Sequence, residues 1–119
     1  MTPYKHALKS AGKFGGHWND YIELHRFIDS SKYHTVTWHH RIVMHHTLGI
    51  EICEKVFGSI ITNSEGTPVE VRSLVIQHIQ EDLGFVPTLK DWLVHLPDPE
   101  PWMYADPKTR VVKGVLDNG

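Results

Sequence analysis

The sequence has a single cysteine, Cys53, so no disulfide can form within the chain, and a reducing cytoplasm is the expected compartment. It also lacks an excess of positive charge. Twelve Lys and Arg stand against 14 Asp and Glu, a formal net charge of -2, so there is no electrostatic drive toward non-specific nucleic-acid binding. No apolar run approaches membrane-spanning length, and the opening "MTPYKHALKS" lacks the apolar core of a signal peptide. Neither a P-loop nor an H-E-x-x-H motif occurs. "SAGKFGG" has glycines and a lysine but not the phosphate-loop spacing, and it reads as a helix terminator.

What the chain does have is histidine, 10 in 119 residues, spread along its length. Histidine is the commonest metal ligand and the side chain that titrates nearest neutral pH. The rest is ordinary for a soluble globular domain, with 40% hydrophobic and 22% charged residues.

Hydrophobic periodicity and turn residues predict a mainly α fold, a compact helical domain of about four to five helices with one β-hairpin inserted at about residues 59–71. Helices are expected near residues 4–13, from Trp18 to Ser30, and along the whole of "TVTWHHRIVMHHTLGIEICEKVFG", weakened in its middle by Gly49. Two more cover "VRSLVIQHIQEDLG" and "VPTLKDWLVHL", the last with a Thr88/Asp91 capping arrangement. "NSEG" is the hairpin turn. Residues 1–96 form one domain. Residues 97–119 are proline-rich and irregular, pinned by Trp102, Met103 and Tyr104 to the domain or to a second subunit of a homodimer.

The stretch "TWHHRIVMHH" is not a chelating motif by itself. No two of its histidines are three or four apart, and His39 and His46 share a face at about 10 Å separation along the axis. On one continuous helix His39 and His46 lie near the apolar stripe, His45 at its other edge, and His40 on the solvated side. The completing groups come from elsewhere. Trp18, Tyr21, Ile22, His25 and Asp29 form one helical stripe, and Val71, Leu74, Val75, His78 and Asp82 form another. Each ends in a His-x-x-x-Asp pair pointing where core residues point. A buried carboxylate is costly unless paired, hydrogen-bonded or bound to metal. Imidazole and carboxylate together suit zinc first, and also manganese, iron or nickel. His6, His17, His34 and His95 have no partner at helical spacing and read as incidental, and Glu81, beside Asp82, reads as a solvated neighbour or as a base standing behind the ligands. Cys53 lacks the surroundings of a reactive thiol.

The segments "HALKSAGKFGG", "DYIELHRFIDSSK", "HHRIVMHHTLGIEICEKVFG", "NSEGTPVEVR" and "QHIQEDLGFVPTLKDWL" resemble a small, functionally uncharacterised family from bacteria and their phages, over roughly residues 6–93. The resemblance implies no activity. It highlights His6, His25, Asp29, His40, His45, His46, Glu54, His78, Glu81 and Asp82, and so sets His40 against the helical geometry, which favours His39. A weaker likeness in chemistry is to the HD phosphohydrolases, although their His-Asp dipeptide is absent.

Two function classes fit. One is a metal-dependent hydrolase of a phosphoester or nucleotide. Its candidate ligands are His25, His40, His45, His46, His78 and Asp82, its candidate bases Asp29 and Glu81, and Lys32 or Arg72 would steady an anion. The other is a non-catalytic phage or bacterial interaction protein whose histidine cluster is structural, with or without metal.

Overall fold

The computed structural model describes residues 1–35 and 37–104. Among the described residues there are six α-helices and one two-stranded antiparallel hairpin, in agreement with a mainly α fold carrying a hairpin insert. Helix α1 (Pro3–Phe14) starts as its sequence dictates. The Thr2 hydroxyl accepts from the Lys5 N–H, and Pro3 occupies a first-turn position where its missing donor costs nothing. It stops at Gly15 and Gly16, both with positive φ. After a 3₁₀ turn at Trp18–Asp20, α2 (Ile22–Ile28) buries Ile22, Leu24, His25 and Ile28.

The hairpin pairs β1 (Ile60–Thr62) with β2 (Pro68–Glu70), Ile61 opposite Val69. The Asn63 side chain closes its loop by accepting from the Glu65 and Thr67 N–H groups at 2.9 and 3.0 Å. Its amide donates to the Tyr21 hydroxyl at 3.2 Å, which ties the hairpin to the start of α2. Helix α5 (Val71–Leu83) follows directly and ends on Gly84 in the left-handed conformation. It is the central element, with α4 (Thr47–Phe57), α1 and α2 packed on it. Helix α6 (Leu89–Leu93) carries the Thr88/Asp91 capping box that its sequence predicts.

The long third helix is broken. A 3₁₀ turn at Thr37–His39 leads into α3 (His40–Met44), and the chain turns at His45 and is extended at His46 before α4 begins. Three interactions make the break. His46 serves as N-cap, its Nδ1 accepting from the Gly49 N–H at 3.1 Å. The Thr47 N–H donates to the Pro87 carbonyl at 3.0 Å. The end of α3 lies against the first turn of α4 so closely that a Cβ on Gly49 would be 1.9 Å from the Met44 carbonyl oxygen. Gly49 is therefore a point of close backbone approach, not merely a weak helix former. The break also undoes the stripe expected of a continuous helix: Cys53 and Ile50 are buried, whereas Trp38 and Val56 are about half exposed.

The core changes character along α2 and α5. Ile22, Val71, Leu74, Val75 and Cys53 are apolar and buried, while one or two turns further on His25, Asp29 and His78 are equally buried. In the described part of the C-terminal segment Trp102, Met103 and Tyr104 are exposed at 59%, 54% and 72%. Residues 105–119 of that segment lie outside the described residues. Among the described residues no helix is long and apolar enough to cross a membrane.

Candidate metal centre

The two His-x-x-x-Asp pairs meet. His78 Nε2 is 3.3 Å from Asp29 Oδ1 and 3.3 Å from Asp82 Oδ2, so each pair reaches across to the other. The break after α3 adds His45, whose Nε2 is 2.8 Å from Asp82 Oδ2 and 3.7 Å from Asp29 Oδ1. Asp29, His45, His78 and Asp82 thus offer one ligand atom each, all within 4.8 Å of one another. Two ligands of a tetrahedral zinc lie about 3.3 Å apart, given bonds of 2.0–2.1 Å. The four histidine–carboxylate separations bracket that value and the remaining ones stay within 4.8 Å, so the group could hold an ion. The donor set, two imidazoles and two carboxylates, suits zinc, manganese, iron or nickel.

His40 approaches the same group. Its Nδ1 donates to the Thr37 carbonyl at 3.2 Å, and its Nε2 is 3.7 Å from Asp29 Oδ1. It is buried while His39 is exposed. Geometry on a continuous helix favoured His39, and the break reverses that order.

His25 and His46 are placed differently from the expectation that they hold an ion. His46 uses both ring nitrogens on backbone, accepting from Gly49 N–H and donating from Nε2 to the Val43 carbonyl at 3.0 Å. His25 stands behind His78, with the two Nδ1 atoms 2.9 Å apart and its Nε2 2.8 Å from Ser10 Oγ. Because His78 turns Nε2 toward the carboxylates, its Nδ1–H donates to His25, and His25 in turn donates to Ser10. The Ser10 hydroxyl donates to Gln77 Oε1 at 2.6 Å. This relay fixes the His78 tautomer and ring orientation, the role that outer partners play at metal sites.

Glu81, offered as a base, is instead tied down. Its Oε1 accepts from His6 Nδ1 at 2.7 Å and from the Gln77 amide at 3.0 Å. Asp29 contributes Oδ1 to the cluster, while its buried Oδ2 has no hydrogen-bond partner, with Lys32 Nζ 3.9 Å away.

Burial and charge pull these groups apart. Burial pushes the His25 imidazole down to about 2, helped by His78 and His6 beside it. It also lowers His45, against the Asp82 hydrogen bond. Burial opposes protonation of His78 as well, but the hydrogen bonds it donates to Asp29 and Asp82 outweigh it and raise that ring. Burial alone would raise both carboxyls. The His78 hydrogen bond and the charges of His78, His45 and Lys32 hold Asp29 below its usual value, and hydrogen bonds from His45 and His78 do the same for Asp82. The site therefore keeps two carboxylates ionised in a dry interior, with the imidazoles around them, Lys32 Nζ 3.9 Å from Asp29 and the Met1 ammonium 3.1 Å from Asp82. Cys53 is buried, its thiol pushed up to about 12, first by burial and then by Glu54, which removes it from nucleophilic chemistry at neutral pH.

The family model of a domain of unknown function, DUF6915, matches residues 1–103. The chain belongs to the DUF6915 family. No curated protein matches, and no solved structure matches. Membership in DUF6915 agrees with the resemblance to an uncharacterised family and adds no activity, so the chemistry has to come from the site.

Ser10 and Gln77 escaped sequence reasoning, and helical spacing set His6 aside as incidental although the family resemblance highlighted it. All are buried, and each lies against a group from another helix. The only local signal was that His6, Ala7 and Ser10 share the buried face of α1. Trp92 was missed as well, its indole N–H donating to the His45 carbonyl at 2.9 Å and so bracing the break from outside.

The pKa shifts predict an acid-sensitive metal-free protein. An unfolded imidazole takes up a proton near its ordinary 6.5, whereas folded His25 refuses one until about pH 2. Its share of stability is full above pH 6.5 and is lost as pH falls, at up to about 1.4 kcal/mol per pH unit. His45 and His46, also lowered, act in the same sense. His78, raised, acts oppositely: its contribution is present below 6.5 and lost above its folded value. Three groups against one leave a net loss on acidification. In chelator, thermal melts should drop steadily between pH 7 and pH 5, less steeply in His25→Leu. A melting temperature flat over that range contradicts the buried, neutral state of His25.

Proposed function

We propose that the protein is a metal-dependent hydrolase acting on a small anionic substrate, most simply a phosphoester or nucleotide, with the ion held by Asp29, His45, His78 and Asp82. The observation that carries this reading is the joining of a histidine–carboxylate cluster to a cleft that carries Lys32. A cleft of about 400 Å³ is lined by Pro3, Arg26, Asp29, Ser30, Lys32 and Tyr33. Asp29 therefore belongs both to the cluster and to the cleft wall, with Lys32 Nζ 3.9 Å from its Oδ2, while Arg26 in the same wall is paired with Glu23 at 2.9 Å. Arg72, the other basic candidate, is exposed and not among the cleft residues.

A divalent ion would supply Lewis acidity and water activation near neutral pH. The chain's own residues would do the rest. Lys32 would draw the anion into the cleft and offset its charge. Asp29 Oδ2, free of hydrogen bonds, would accept a proton from water on that side. The His25–Ser10–Gln77 relay would hold His78 in its ligating tautomer. A donor set without thiolate supports this reading, since structural zinc sites are typically cysteine-rich and catalytic ones draw on histidine and carboxylate.

A structural metal in a non-catalytic interaction protein is the second reading, favoured by one observation. Four buried protein groups already suffice to close a tetrahedral shell. The exposed Trp102, Met103 and Tyr104 suit a contact with a partner or a second copy, which the molar mass in solution tests.

The experiment that separates the two readings is a screen of the metal-loaded protein against p-nitrophenyl phosphate mono- and diesters. On the best substrate Lys32→Ala should raise KM by about three- to tenfold with little change in kcat, as loss of uniform binding requires. Hydrolysis that is absent with every loaded ion favours the structural reading. Hydrolysis indifferent to Lys32 and Arg26 removes the cleft from the mechanism.

A further inference from the structure

We propose that a second divalent cation binds beside the first, between His6 Nε2 and Asp82 Oδ1, so that Asp82 bridges a two-metal centre. The inference rests on the metal reading of the first position and extends it to residues outside that group. His6 is not one of the four residues whose ligand atoms cluster within 4.8 Å, so it marks a separate position and not a fifth ligand to the first ion.

Three observations carry the proposal. First, His6 is fully buried on α1, and its Nδ1 is 2.7 Å from Glu81 Oε1, a carboxylate that can only accept. The proton is thereby assigned to Nδ1 and the lone pair to Nε2. This is how metal-binding histidines are held, one nitrogen on the ion and the other donating to a carboxylate. Second, His6 Nε2 is buried without a hydrogen-bond partner, although Asp82 Oδ1 is only 3.2 Å away. The ring nitrogen is not aligned on that oxygen. Two lone-pair atoms at this separation in a dry interior repel each other, and they become favourable neighbours when both point at one cation. The distance is close to the separation of about 3.3 Å between ligands of a single ion. Third, the His6 and His78 rings are stacked, centroids 3.7 Å apart. His78 addresses Asp82 Oδ2 and His6 addresses Asp82 Oδ1, so the two positions lie one ring spacing apart on the two oxygens of one carboxylate. Paired ions in hydrolytic centres are about 3.5–4 Å apart.

The Met1 ammonium lies 3.1 Å from the same Asp82 Oδ1, so a positive charge is already drawn to this position. A bound ion would take the place of that charge. Glu81, with its side chain 20% exposed, sits behind His6 as the orienting carboxylate, not as a ligand by any contact in the structure.

The test is a Mn²⁺ titration of chelator-stripped protein, read by calorimetric stoichiometry and by electron paramagnetic resonance. The expected result is two Mn²⁺ per chain with an exchange-coupled signal. In His6→Gln the count should fall to one and the coupling disappear, leaving an isolated Mn²⁺ spectrum. One Mn²⁺ per chain in the wild type, uncoupled and unchanged in His6→Gln, overturns the second position while leaving the first intact. No Mn²⁺ bound in either protein overturns both readings together. Circular dichroism checks that His6→Gln folds; where it does not, the count and the coupling in the wild type alone still decide.

Discussion

Saturating zinc or manganese should raise the melting temperature of the chelator-stripped protein by roughly 15–20 °C. A ligand that binds only the folded state stabilises it by about 4 kcal/mol when present at a thousand times its dissociation constant. For a domain of this size unfolding entropy converts each kcal/mol into about 4–5 °C. The site has the features that make such binding specific to the folded chain. Asp29 comes from the end of α2, His45 from the α3–α4 break, and His78 and Asp82 from α5, so no unfolded segment holds the set together. Asp82→Ala should abolish the shift. That carboxylate faces His45 at 2.8 Å, His78 at 3.3 Å and His6 at 3.2 Å, three imidazoles as at Asp29 but at shorter distances. Losing an outer-shell partner typically costs 10–100-fold in metal affinity, and losing this ligand should cost more. Differential scanning calorimetry with and without metal checks both statements. A shift of the same size in Asp82→Ala would place the ion elsewhere.

Gly49→Ala should be the most damaging single-methyl change in the protein, lowering stability by about 3 kcal/mol or more. Alanine is normally the better helix residue, by about 1 kcal/mol. Here the added Cβ would meet the Met44 carbonyl oxygen at 1.9 Å and its carbon at 2.8 Å, backbone atoms that no rotamer change can move. Overpacking in such a place costs about 1–3 kcal/mol and sometimes more. Relief requires the end of α3 to move away from α4, and His45 lies in that connection. Gly49→Ala should therefore weaken metal binding as well as stability, unlike Gly12→Ala in α1, where an added Cβ meets nothing within 4 Å. Urea unfolding of the two variants, with metal titration of each, is the comparison to make. Equal stabilities would show that α3 and α4 do not approach as closely as described.

The parts of the molecule that could be read from the sequence are those encoded within one helix. Of the two stripes, Tyr21, Ile22, His25 and Asp29, and Val71, Leu74, Val75 and His78, are buried as helical spacing requires, while Trp18 and Asp82 at their ends are half-buried. The hairpin and the Thr88/Asp91 box are equally local. What could not be read depends on groups distant in the chain. The helix break needs a histidine as N-cap, a residue outside the usual capping set, together with the Pro87 carbonyl from the far side of α5. That break decides that His40 and His45 face the cluster and His46 does not. His6 has no helical partner on α1, since its partners Glu81 and Asp82 are on α5. His25 was legible as buried but not as a supporting residue, because only the facing helix shows that His78 stands between it and the carboxylates.

The most direct test of the metal centre is an anomalous difference map from crystals of the untagged protein grown with zinc and measured at the zinc edge. The expected result is a peak at bonding distance, about 2.0–2.2 Å, from Asp29 Oδ1, His45 Nε2, His78 Nε2 and Asp82 Oδ2, with His46 still capping α4 and His25 still behind His78. A map with no peak among these four groups, or with the peak on His25 or His46, would contradict it.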